Sequence, residues 1–403
     1  MAGVFENDRC FIMSKILIVG NLADEKWLGN LIKRVKLADP TIVIDCFWSN
    51  LTEEKPCESS KYCSLVQRTT RHYPFFLYKI PRLRIYIKEK DVTLSFKEFI
   101  ADRIKDNTQY DVVNFHYLGN ETLRCWNQVN TITKTTLLMP WGSDVLRRNK
   151  HYTEKMKEYV SHYAHICTSD NPRFKKELIE KLSVREDQFV ELDFGSVSID
   201  RLMENENISR TEAKEALGLK DKFIITIGYN AHEEQQHLEV IEAIASIKDK
   251  LPQNTLLVFP MTYGGKRQVV RVEKKVQQLG LYYKIYDQYL SYRDIVLLRK
   301  CSDMFIHAQT TDSNSASLAE YLFCRCTVVN AGWLKYEHLE QFGVPYYTFN
   351  KFSELPQVLE TAVSNGSLVN DIIVEFLKQY SWQYKIHKWL ALFSCQTNTK
   401  TNV

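Results

Sequence analysis

No apolar run in the 403-residue sequence approaches the roughly 20 residues that span a bilayer, and Lys15 to Gly20 is far too short for an export-signal core. The ten cysteines form no CxxC pair and join no histidine-rich ligand spacing. Reduced thiols in a cytosol are therefore expected, not a disulfide framework or a zinc site. A net charge of +4 is too small to imply nucleic acid as a partner. No GxGxxG follows the first strand-like segment, which disfavours a dinucleotide-dependent oxidoreductase. Asp-x-Asp is absent as well, so neither an essential metal nor a cofactor is expected.

What is present is the composition of a globular protein, 44% hydrophobic and 25% charged, at a length that suits two domains. From Lys15 onward, strand-like and helix-like segments alternate, the pattern of a parallel α/β sheet. Strands are expected at Lys15–Gly20, Thr41–Phe47, Asp111–His116, Thr135–Met139 and Ala164–Ser169, with helices over Asp24–Leu37 and from Asn171. Residues 201–221 read as a polar connector. The alternation then restarts with strands at Phe223–Gly228, Thr255–Pro260 and Ile285–Leu290 and helices from about Glu233, Gln268 and Tyr292. Asp371–Phe393 reads as one long helix, followed by a frayed polar tail from Gln396.

The densest chemistry lies in Asp303 to Asn330, a strand, a polar loop, a helix and a second strand. Glu320 falls in the first turns of that helix among apolar and small residues. A carboxylate there is paired or turned toward a ligand, because burying it bare is expensive. Asp312 precedes it by eight residues, with the helix start between them. A helix N-terminus offers N–H groups and a positive dipole end to a diphosphate, and carboxylates beside it accept from sugar and ribose hydroxyls. A buried helix capped by Asp312 or Ser315 fits the same residues. At two strand ends of the first half, His116 and the segment Trp141-Gly142-Ser143-Asp144 point to a cleft mouth. A structural histidine and a capped turn are their ordinary alternatives.

The spacing Asp312-x7-Glu320, followed by Cys326-Thr327-Val328-Val329, resembles the Glu-x7-Glu segment of the retaining glycosyltransferases of family four. Asp312 replaces the first Glu, and Ser313-Asn314-Ser315 stands where that family has Gly-Phe-Gly. The strand ending in His116 and the segment Gly195 to Asp200 resemble further family features, as does the C-terminal stretch with Ser381-Trp382. The turn Gly228 to His237 lacks the Arg and Lys with which the family grips the donor diphosphate. That turn and Pro260-Met261-Thr262-Tyr263 resemble the enterobacterial common antigen 4-acetamido-fucose transferases instead.

The resemblance implies a GT-B fold, two Rossmann-like doubly wound α/β domains facing across a cleft. The expected division is an acceptor domain at 1–200, a sugar-nucleotide domain at 201–380, and a returning helix and tail at 381–403. It implies a catalytic set of His116, Asp312 and Glu320. Donor contacts would come from Gly228, Asn230, His237, Pro260, Lys266, Ser315, Ala316 and Glu320, although Lys266-Arg267 equally fits a solvated loop pair. Gly20, Asn21 and Asp144 would lie on the acceptor side.

The window Lys61 to Lys90 interleaves eight cations with six aromatics against one acid, Glu89. Arg82, Arg84 and Lys88 are expected to contact an anionic membrane surface, and a solvated basic loop with inward-packed aromatics is the alternative. The resulting expectation is a cytoplasmic transferase, peripheral at the inner face of the cell membrane. It would move a sugar, with retention, from a nucleotide-sugar donor to a lipid-linked acceptor in bacterial surface-polysaccharide biosynthesis. A sugar-nucleotide epimerase and a non-catalytic synthase partner are the alternatives.

Overall fold

A computed structural model describes residues 14–51, 57–168, 172–312 and 314–394. Ser169, the helix start at Asn171, Ser313 and the tail from Gln396 fall outside the described residues. The chain divides into two compact units: Met1–Thr168 with Glu177–Asp193 and Ile386–Val403, and Ser169–Lys176 with Phe194–Lys385.

The first unit holds β1 (Lys15–Gly20), β2 (Val43–Trp48), β3 (Leu65–Arg68), β4 (Val112–His116), β5 (Thr136–Met139), β6 (His165–Thr168) and β7 (Phe189–Glu191). They form one sheet in the order 3-2-1-4-5-6-7, parallel throughout. The second unit holds β8 (Phe223–Ile227), β9 (Thr255–Pro260), β10 (Tyr283–Tyr286), β11 (Met304–His307), β12 (Thr327–Ala331) and β13 (Tyr347–Phe349), in the order 10-9-8-11-12-13. Helices cover both faces of such sheets, so Ile16 to Val19 in β1 and Met304 to Ile306 in β11 are apolar runs without alternation.

Several boundaries differ from those expected. The third strand of the second sheet is Tyr283–Tyr286 rather than Ile285–Leu290, because Tyr286 already pairs with Pro260, the last residue of β9. The helix expected from Glu233 is a short 3-10 turn, a left-handed Gln236 (φ 53°), and then a helix at His237–Ala245. The single C-terminal helix is interrupted. Asp371–Leu377 and the turn Lys378–Tyr380 end at an extended Ser381 that bridges to Ser196, and Trp382–Phe393 follows. Asp200 Oδ1 accepts from the Trp382 amide at 3.0 Å and starts that last helix. A 25-residue helix, Pro81–Lys105, takes in the last third of the basic window read as loop or membrane contact, with proline in its first turn where no N–H partner is needed.

Candidate functional site

In the second unit the strand order reverses between β8 and β11, the place where open parallel sheets bind ligands beyond their carboxyl ends. Gly228 leaves β8 at φ +62°, and a Cβ there would lie 2.8 Å from Gln235 Oε1 and 2.9 Å from His237 Nε2. Only glycine fits. His237 begins its helix fully buried, and neither ring nitrogen has a hydrogen-bond partner among the described residues. Burial pushes its pKa down to about 4, so the imidazole is neutral. Asn230 Oδ1 accepts from the His232 amide at 2.8 Å and shapes the turn. The loop after Pro260, which closes β9, lies along this turn: the Ala231 amide donates to Tyr263 O at 2.7 Å, and Gly265 N to Ala231 O at 3.2 Å. Lys266 and Arg267, both exposed, open the helix Lys266–Gln278. Two cations at the positive end of a helix dipole repel it, and a bound anion would relieve that repulsion.

At the end of β11, His307 Nε2 lies 3.0 Å from the Tyr336 hydroxyl, which donates to Asp312 Oδ2 at 3.2 Å. Burial, with Asp312 beside it, holds the Tyr336 phenol well above its ordinary pKa, so it remains a donor. Gln309 accepts from the Tyr229 hydroxyl and the Gln235 amide, which ties the two strand ends together. Ser315 caps the helix Ala316–Phe323, its Oγ accepting from the Leu318 amide at 3.2 Å. One turn on, Glu320 is 2% exposed. Its Oε2 accepts from Arg299 Nε at 2.8 Å and its Oε1 from Ser196 Oγ at 3.2 Å. Arg299 also donates to the Tyr321 hydroxyl at 2.7 Å, with its guanidinium 4.4 Å above that ring. Burial alone would lower the Arg299 pKa, but Tyr321 and Glu320 hold it above its ordinary value.

The first unit reverses its strand order between β1 and β4. Gly20 closes β1, where a Cβ would meet Leu28 Cδ2 at 2.8 Å and His116 Cβ at 3.1 Å. Asn21 Oδ1 accepts from the Trp48 indole at 2.9 Å. Burial pushes the His116 pKa down to about 3, and its ring stacks 6.1 Å from Trp389 and meets Trp141 edge-on at 6.4 Å. Asn21 and His116 line a cavity of about 490 Å³. Asp144 does not. Fully buried, its carboxylate accepts from the Leu118 amide at 2.8 Å and the Trp141 amide at 3.0 Å, joining the loops after β4 and β5. Burial raises its pKa to about 6 despite those donors.

The helix Pro81–Lys105 starts beside this cavity. Phe76 and Ile85 are 63% and 64% exposed, and Phe75, Ile80, Leu83 and Tyr86 are exposed with them, interspersed with exposed Arg82 and Arg84. The preceding loop is tied down, since Asp91 accepts from the His72 amide at 2.8 Å and from the Tyr78 hydroxyl. Lys88 lines the cavity. Among the described residues no helix is long and apolar enough to cross a membrane.

Sequence reasoning missed His307, Tyr336, Gln309 and Arg299. His307 ends a strand as His116 does, so the same signal was available for it. Tyr336 and Arg299 lie 24 and 21 residues from their carboxylate partners on other elements, and no local pattern marks them.

No family model and no curated protein matches the sequence. Solved structures do match in shape. Sucrose-phosphate synthase from Thermosynechococcus elongatus is 13% identical with a TM-score of 0.70, over 94% of this chain and 98% of that one. Anabaena HepE, in complex with UDP and glucose, is 14% identical with a TM-score of 0.62, over 94% and 95%. The lipopolysaccharide outer core galactosyltransferase WaaB is 12% identical with a TM-score of 0.65, over 95% and 99%. With two doubly wound parallel-sheet units and likeness along nearly the whole of these glycosyltransferases, the chain has the GT-B fold.

Proposed function

We propose that the chain is a glycosyltransferase that binds a nucleoside-diphosphate sugar on its second unit and a saccharide acceptor on its first. The observation that carries the reading is what converges on the β8/β11 switch point. A turn that only glycine can make lies against a neutral buried histidine, beside a helix that opens with Lys266-Arg267. These groups suit a diphosphate: His237 donates from one ring nitrogen, and Lys266 and Arg267 supply the charge that the turn itself lacks. Breaking the bond to the leaving diphosphate develops charge there, and preorganised donors are the main means of stabilising it. Asp312, oriented by Tyr336, accepts from hydroxyls of the transferred sugar. Glu320 has lone pairs beyond those used by Arg299 and Ser196 and accepts from the ribose. Ser315 and Ala316 present the helix start, and His116 serves the saccharide in the first unit. We assign retention of configuration on the Asp312 and Glu320 pair.

The finer reading is a lipid-linked acceptor in surface-polysaccharide assembly, with the enzyme peripheral at the cytoplasmic face of the membrane. Its support is the exposed apolar and cationic start of Pro81–Lys105, since cations beside amphipathic aromatics suit an anionic interface. The missing Arg and Lys in the turn 228–237 favour a second reading, a sugar-nucleotide-binding subunit without turnover.

The test is a thermal-shift screen with uridine, guanosine and thymidine diphospho-sugars, followed by turnover with the stabilising donor. Saturating donor, at about a hundredfold over Kd, should stabilise the folded chain by about 2.7 kcal/mol. Stabilisation without transfer or hydrolysis would select the non-catalytic reading. No stabilisation by any nucleotide at millimolar concentration would overturn both.

A further inference from the structure

The cavity of the first unit has a chemistry that the transferase reading does not itself specify. It lies beyond the carboxyl ends of β1 and β4, and its volume of about 490 Å³ is within the usual range for small-molecule sites, roughly 300–1,000 Å³. Three carboxylates, Asp24, Glu89 and Glu121, line it against one lining cation, Lys88, and Arg148 and Arg124 act on Glu121 from outside the lining. Burial raises the Asp24 pKa, and burial followed by the charge of Glu89 raises that of Glu121. The Asn21 side chain at Asp24 and the backbone amide of Glu121 offset that burial only in part.

Tyr117 and Trp141 form the aromatic part of the wall, their rings edge to face at 5.9 Å. Tyr117 holds φ +59°, a left-handed conformation that a bulky side chain adopts only under constraint from its surroundings. The constraint is visible: its amide donates to Met139 O at 3.1 Å, and Arg148 lies over its ring and donates to its hydroxyl at 3.4 Å. Backbone strain is thus maintained at a residue that stays 39% exposed and faces a cavity.

We propose that this cavity is a subsite for an uncharged pyranose ring, held by carboxylates that accept from its hydroxyls and by Tyr117 and Trp141 against its apolar face, and that it rejects phosphorylated sugars. Sugar hydroxyls can donate to the lone pairs that Asp24 and Glu121 keep beyond the Asn21 side chain and the Glu121 amide, and aromatic rings match the C–H face of a sugar. A phosphate would place two further negative charges among three carboxylates, and like charges brought together at close range lose affinity steeply. That the bound ring is the transfer acceptor rests on the glycosyltransferase reading; its binding and its charge preference do not.

The experiment uses the full chain with methyl glucoside, methyl galactoside and methyl N-acetylglucosaminide against glucose 6-phosphate. Binding is read by saturation-transfer NMR and by tryptophan fluorescence, with and without UDP. At least one neutral glycoside should bind at least about tenfold more tightly than the phosphate. Tyr117→Ala should lose the neutral ligand, and Glu89→Gln should weaken it while narrowing the discrimination. Thermal melts confirm that the variants fold, and Glu89→Gln serves should Tyr117→Ala fail to do so. Equal or tighter binding of glucose 6-phosphate, or neutral binding indifferent to both substitutions, overturns the proposal. If UDP stabilises the chain and no neutral glycoside binds, the subsite is refuted and the transferase reading stands. If a glycoside binds and no nucleotide does, the transferase reading falls and the subsite remains.

Discussion

Glu320→Gln removes the charge facing Arg299 while keeping the shape of the side chain. The guanidinium is left with 9% side-chain exposure, and Glu320 is its only ion-pair partner among the described residues. Removing one partner of a buried pair typically costs about 3–5 kcal/mol, because the remaining charge stays desolvated. The amide oxygen can still accept one bond, so the loss should fall near 3 kcal/mol, a large part of an ordinary stability of roughly 5–15 kcal/mol. Replacing both partners, Arg299→Met with Glu320→Leu, should recover most of that loss, since apolar residues of similar volume need no pairing. Two units need not unfold together, so urea unfolding is best paired with hydrogen exchange on the helix Ala316–Phe323. Nucleotide titration of the stable double variant then separates the two roles of Glu320. If the carboxylate also holds the ribose, the double variant folds but loses about 1.5–3 kcal/mol of donor affinity for each charged hydrogen bond removed. Unfolding of Glu320→Gln within about 0.5 kcal/mol of wild type would show that the pair contributes no stability. Unchanged UDP affinity in the double variant would remove the ribose role.

Other expectations follow from the same geometry. Tyr336→Phe frees Asp312 and His307 from their shared hydroxyl, and should lower turnover by about tenfold or more with nucleotide affinity nearly unchanged; equal losses in both would place Tyr336 at the nucleotide. Acid should destabilise the fold: His116 and His237 have pKa values lowered to about 3 and about 4, so the stability of their neutral forms is lost as pH falls below about 6.5. Gln at either position should flatten that slope in pH-dependent unfolding, and an unchanged slope would mean that the rings are hydrated. Asp144 acts in the opposite sense. With a folded pKa of about 6 against about 3.9 unfolded, its stabilisation is present at low pH and lost as pH rises through 6, by roughly 3 kcal/mol, and Asp144→Asn should remove that component. Arg82→Glu with Arg84→Glu should release the chain from anionic vesicles, each cation contributing about 1 kcal/mol near the surface; wild-type protein that fails to sediment with such vesicles at low salt would refute the membrane contact.

The central strands were legible because burial on both faces leaves them mostly apolar, and β1 and β9 have the bounds expected from their apolar runs. The cost of Glu320 was legible too, since a carboxylate in an apolar helix needs a partner. Arg299 was not, because the pair forms between two helices and the spacing along one chain segment does not record it. The helix Pro81–Lys105 escaped notice for another reason. Leu83, Ile85 and Tyr86 are exposed, so its apolar residues do not gather into the single inward stripe by which helices are recognised. In the first unit, Asp144 is expected on the acceptor side; its carboxylate is taken up by two backbone amides, and the carboxylates that line the cavity are Asp24, Glu89 and Glu121.

That same helix is also a ruler. An α-helix advances about 1.5 Å per residue, so Ile85 to Val92, the first and last helix residues in the cavity wall, span about 10 Å of a rigid axis. That length, about one or two sugar rings, limits how much of a longer saccharide the helix can line at once.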